Sequence, residues 1–112
     1  MTRSQNYERN LKVVAAIKDA GSNLSKPHSI EHHIYSYTEE DFSGVSQAGV
    51  RLGYEILNSG RHEDEGGVFW SQDLVKPALP VIEAIEVQSH EIEGIVEEFD
   101  SDYDGWGTEV EE

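Results

Sequence analysis

Five residues near the end of this 112-residue chain stand at the spacing of a calcium loop. Asp100, Asp102, Asp104, Gly105 and Glu111 fit D-x-[DN]-x-[DN]-G-x5-E, in which the oxygens of one loop converge on the ion. Such a loop works between two helices, and none is expected after Glu111. The segment from Trp106 to Val110 has strand character, which carries Glu111 away from Asp100, and Gly107 stands where these loops carry an aliphatic residue. The expectation is that DSDYDG forms the turn between a helix and a strand, with its Asp residues and Gly105 supplying turn chemistry.

The other residues with chemical potential point to no reaction. His28, His32 and His33 lie close together, but neighbours on a strand face opposite ways and no HExxH spacing is present. His32, flanked by Ile30 and Ile34, is expected to be a hydrogen-bonded residue at the edge of the core. His33 is expected on the other face, exposed beside Glu31 and Tyr35. There is no cysteine, no G-x-S-x-G elbow and no glycine-rich phosphate loop. No catalytic residue, metal or cofactor is expected.

Charge is more informative. Twenty-three acids against eight Lys and Arg leave a formal net charge of −15, and between Val81 and Glu112 there are twelve acids and no Lys or Arg. Such a surface repels phosphates and favours basic partners. Within this region Glu83, Glu86, His90, Glu93 and Glu97 step by three and four along an expected helix, and the side they share is expected to face water. Like charges at this spacing repel, and a basic partner would relieve them. Tyr35, Phe69 and Trp70 on or near strands raise base stacking, as in an RNA-recognition motif. GVFWS lacks that motif's basic and glycine-aromatic spacing, and the net charge opposes it. Trp70 and Trp106 read as core or interface anchors.

These residues must be positioned by seven elements. Tyr7, Leu11, Val14 and Ile17 predict a helix from about residue 4 to about 20, ended near Gly21. Residues 26–36 alternate as a strand, and Thr38 is an N-cap for a helix ending near Gly53. Tyr54 to Leu57 reads as a strand, NSGRHEDEGG as a polar turn or loop, and Gly67 to Ser71 as the returning strand. Ile82, Ile85, Ile92, Val96 and Phe99 predict a helix to about Glu98, with Pro80 in its first turn. Tyr103 to Val110 closes as a strand with Trp106, Thr108 and Val110 on one face. Without the first helix the order is βαββαβ, the ferredoxin-like pattern: a four-stranded antiparallel sheet with helices on one face, to which an N-terminal helix is added. A single domain is expected, with its core from about residue 28 to the end. No stretch is long and apolar enough to span a bilayer, and the polar N-terminus lacks a signal-peptide core, so a cytoplasmic protein is expected.

Two pieces of sequence carry a family resemblance. One is Tyr-Asp-Gly-Trp-Gly-Thr at Tyr103 to Thr108, preceded by Glu98-Phe99-Asp100. The other is Ile30-Glu31-His32-His33, followed by an acidic helix start and by Leu52-Gly53-Tyr54-Glu55. Together they resemble the regulator of ribonuclease E activity, type B, a family of bacterial protein inhibitors of that endonuclease. The resemblance implies a ferredoxin-like α+β domain that binds ribonuclease E on its basic scaffold half and lowers RNA cleavage without chemistry of its own, touching neither nucleic acid nor membrane. Glu83, Glu86, Glu93 and Glu97 are the expected electrostatic contacts, with His33, Tyr103 and Trp106 as further surface elements. The alternative is the same fold serving another basic partner, followed by a calcium-binding or RNA-binding module.

Overall fold

The structure, a computed structural model, describes residues 3–109. Its elements are α1 (Tyr7–Asp19), β1 (His28–Ser36), α2 (Glu39–Arg51), β2 (Glu55–Asp64), β3 (Gly67–Ala78), α3 (Ile82–Glu98) and β4 (Asp102–Gly107). The strands form one sheet in the order β2-β3-β1-β4. All three pairings are antiparallel. This is the ferredoxin-like arrangement with an added N-terminal helix, and the element order follows from the hydrophobic periods of the sequence.

Alternation along β1 sets the two faces of the sheet. His28, Ile30, His32, Ile34 and Ser36 are buried beneath the helices, while Glu31, His33 and Tyr35 point the other way. Under α2 and α3 lies one apolar cluster, built on Ile34, Val45, Tyr54, Leu74, Ile92 and Ile95. A second, of Ile17, Ile30, Ile85 and Trp106, lies under α1. Each fully buried Ile or Leu contributes about 1.5–3 kcal/mol, so α1 is anchored by core burial and is not a loose appendage. Thr38 caps α2 as expected, its hydroxyl accepting from the Asp41 amide at 3.0 Å.

Four sequence expectations need correction. The polar stretch from Asn58 onward is no loop, because β2 runs to Asp64 and pairs with β3 through a tight turn in which the Gly66 amide donates to Asp64 Oδ1 at 2.8 Å. This hairpin extends beyond the core, where both faces are wet and polar side chains carry no penalty. Its backbone bonds and the His62–Phe69 stack, with centroids 4.9 Å apart, define it instead. Strand β3 likewise continues past Ser71 to Ala78. Pro80 lies just outside α3, whose N-cap is Val81. At the far end, Asp102 and Asp104 are strand residues and only Phe99, Asp100 and Ser101 turn the chain. Asp100 adopts φ 45°, and the Ser101 amide reaches back to the Val96 carbonyl at 2.9 Å, closing the helix in Schellman fashion. Glu111 and Val110 lie outside the described residues.

Candidate partner-binding surface

Helix α3 turns Ile85, Ile92 and Ile95 into the core. Glu83 and Glu97 are exposed, but Glu86 and Glu93 meet the start of α1. The Ser4 amide and hydroxyl donate to Glu86 at 2.9 and 2.5 Å, and Asn10 Nδ2 donates to it at 2.9 Å. The Gln5 amide and Asn6 Nδ2 donate to Glu93 at 3.0 and 2.9 Å. Free amides and the positive end of a helix dipole attract carboxylates, so the like-charge repulsion along α3 is relieved within the chain. The expectation that this whole side faces water is therefore corrected: Glu86 is only 8% exposed. Burial opposes its charge, but the Ser4 and Asn10 hydrogen bonds and His90 outweigh it and hold its carboxyl below the usual range.

Asn10, fully buried, is the hub of this contact. Its Oδ1 accepts from Trp106 Nε1 at 2.8 Å, while Nδ2 also donates to Ser89 Oγ at 2.8 Å. Trp106 is thus a core anchor and not a surface element. Ser89 in turn hydrogen-bonds Tyr103, whose hydroxyl lies 2.6 Å from His32 Nδ1. On the other side of that imidazole, Nε2 is 2.7 Å from Gln88 Oε1. The Gln88 amide nitrogen faces the Lys76 and Pro77 carbonyls, so Oε1 accepts, His32 donates through Nε2–H, and Nδ1 accepts from Tyr103. Burial is the main reason that the His32 pKa falls to about 4, with the charge of His33 adding to it and the Gln88 bond opposing it. Burial likewise pushes the Tyr103 hydroxyl well above its ordinary value. A neutral imidazole locked between two partners is a structural element, as the sequence suggested for His32.

The two pieces of sequence that resemble one family meet here, since His32 opposes Trp106 and Ile34 opposes Tyr103 across the β1–β4 pairing. A bulge in β4 allows it: Gly105 has φ +91°, and a Cβ there would lie 2.7 Å from the Arg9 guanidinium, which itself donates to the Asp104 carbonyl at 2.9 Å. Only glycine fits that position without strain. The family model of Regulator of ribonuclease activity B matches residues 7–108. This chain belongs to that family. Among proteins named Regulator of ribonuclease activity B, that of Idiomarina loihiensis is 32% identical over 105 residues, covering 90% of this chain and 80% of its own length. That of Photobacterium profundum is 29% identical over 93% of this chain and 80% of its own length. The Escherichia coli protein is 26% identical over 89% and 73%.

In this Regulator of ribonuclease activity B family member, Glu86 and Trp106 lie in the buried contact of α1 and the other five sequence-predicted surface residues separate into three places. Glu93, Glu97 and Tyr103 come together, with Gln5, Asn6, Val96, Ser101 and Asp102, around a cleft of about 410 Å³ between the start of α1, α3 and β4. Three of these are carboxylates and none is Lys or Arg. Asp102 is oriented by the Tyr37 hydroxyl. Glu83 stands apart at the opposite end of α3. His33 lies on the other face of the sheet, 40% exposed, with Nδ1 2.7 Å from Asp73 Oδ1, while Asn58 donates to the second Asp73 oxygen at 2.9 Å. Sequence reasoning missed Asp102 as a cleft residue because it was assigned to a turn. It also missed Glu55 and Leu57 on the sheet face of His33, although their place two apart on a strand marked them as sharing a side.

Proposed function

We propose that this protein binds ribonuclease E and lowers its cleavage of RNA by contact alone, acting as one inhibitor domain in the cytoplasm with no bond made or broken by its own side chains. The observation that carries this reading is membership of a family described as regulators of ribonuclease activity. Charge supports a basic partner segment, such as the enzyme's scaffold half. The cleft offers Glu93, Glu97 and Asp102 to Lys or Arg side chains, while Glu83 adds to the negative field that speeds their approach. His33 and Tyr103 can contribute polar contacts. Glu86 is fully engaged within the chain and acts by holding α1 in place, and Trp106 supports the surface from below.

Mixing purified ribonuclease E with this protein should give co-elution and slower cleavage of a labelled transcript, with affinity falling as salt rises. Glu97→Lys should weaken the complex without changing the fold, whereas Glu86→Lys should disturb α1 itself. A transcript cut at the same rate with saturating protein would end this reading, as would a gel shift showing that the protein grips the RNA instead.

A further inference from the structure

The carboxylates on the sheet face opposite the helices differ from those on α3. Glu31 stands opposite Val75 on β3, and Val75 stands opposite Glu55 on β2. Together with Leu57 and Glu109 they surround a concavity of about 290 Å³. Its lining is mostly polar, and its accessible apolar surface comes from Leu57, 38% exposed, beside the buried Val75. Side-chain partners separate the two sets: Glu86 and Glu93 accept hydrogen bonds from the start of α1, whereas Glu31, Glu55 and Glu109 have no ion pair or side-chain hydrogen bond among the described residues. Three uncompensated carboxylates beside the exposed Leu57 side chain complement one kind of ligand, an aliphatic side chain flanked by cations. The volume lies at the lower limit of the about 300–1,000 Å³ usual for small-molecule sites and suits one or two long side chains of a peptide.

We propose that this concavity docks an extended peptide segment of the ribonuclease in which an aliphatic residue is flanked by Lys or Arg. The identity of the partner rests on the function proposed above, while the chemistry of the segment follows from the concavity alone. A peptide laid across the strands here places its aliphatic side chain on Leu57 and its cations toward Glu31, Glu55 and Glu109. Nucleic acid is repelled by the same charges, and a second copy of this acidic chain is disfavoured.

The test measures binding of the full chain to purified ribonuclease E by calorimetry. Glu31→Lys/Glu55→Lys is compared with the charge-matched Glu8→Lys/Asp19→Lys on the exposed side of α1, and unchanged circular dichroism confirms folding of each. The sheet-face variant should bind at least tenfold more weakly than wild type and well below the control. On the wild-type protein, adding the ribonuclease should shift the amide resonances of Glu31, Leu57 and Val75. Equal losses in both double variants would reduce the effect to long-range charge and overturn the docking site. So would resonance shifts confined to the cleft of Glu93 and Glu97. Absence of any wild-type binding would instead overturn the ribonuclease reading, and this proposal with it.

Discussion

Replacing Asn10 by Ala tests whether the N-terminal helix is keyed to the fold by polar contacts. The side chain makes three buried hydrogen bonds, to Trp106 Nε1, Glu86 Oε2 and Ser89 Oγ. Glu86 keeps its Ser4 donors, so its loss is partial, but the Trp106 N–H is left without its acceptor. An unsatisfied buried polar group costs about 1–3 kcal/mol, and the void left by the amide adds to this. Alanine's better helix propensity returns about 0.5 kcal/mol. The expected net loss is about 3 kcal/mol. Urea unfolding at pH 7, followed by tryptophan fluorescence, should show a lower midpoint with an unchanged slope. Asn10→Asp keeps the shape and the Trp106 acceptor but places a carboxylate against Glu86, so it should be destabilising too. A loss below about 0.5 kcal/mol in the alanine variant would refute the hub, because the deletion would then leave no desolvated partner behind.

Other predictions address the remaining buried groups. His32 has a folded pKa of about 4 against about 6.5 unfolded, so its stabilising contribution is complete above pH 6.5 and is lost as pH falls toward 4. That gap corresponds to about 3 kcal/mol, to be sought in urea midpoints between pH 7 and pH 4; an imidazole resonance titrating near 6.5 would contradict it. Glu86, held below its usual pKa, stabilises the fold above the ordinary Glu range and loses that contribution as pH falls through its folded value, so Glu86→Gln should flatten the acid limb of the profile. Gly49→Ala places a methyl 2.5 Å from Leu74 Cδ2 and should cost about 1–3 kcal/mol in thermal unfolding, through overpacking beneath α2. Calorimetry with millimolar calcium should show no specific uptake, since Asp102 and Asp104 belong to a strand and Asp102 accepts from Tyr37.

Much of the architecture was legible because it depends on local periodicity. The alternation through Ile30, His32 and Ile34 and the spacing of Ile85 and Ile92 assign each face without knowledge of any partner. The two strands of the β2–β3 hairpin were legible, but their full length was not. Their polar residues carry no inward period, and pairing through backbone hydrogen bonds leaves no trace in side-chain type. The acidic spacing on α3 was read correctly as a shared face, yet what covers that face could not be read. The donors to Glu86 and Glu93 are backbone amides and small polar side chains 76 to 88 positions away.

The sequence by itself determined the fold class, the acidic character and the buried place of His32, because hydropathy period and net charge are sums over residues independent of long-range pairing. Tertiary structure alone decided which carboxylates remain available to a partner. Docking α1 onto α3 withdraws Glu86 from solvent and satisfies much of Glu93, while the strand register leaves Glu31 and Glu55 uncompensated beside Val75. A carboxylate's availability depends on the donors that reach it, and those are set by contacts that the order of residues does not display.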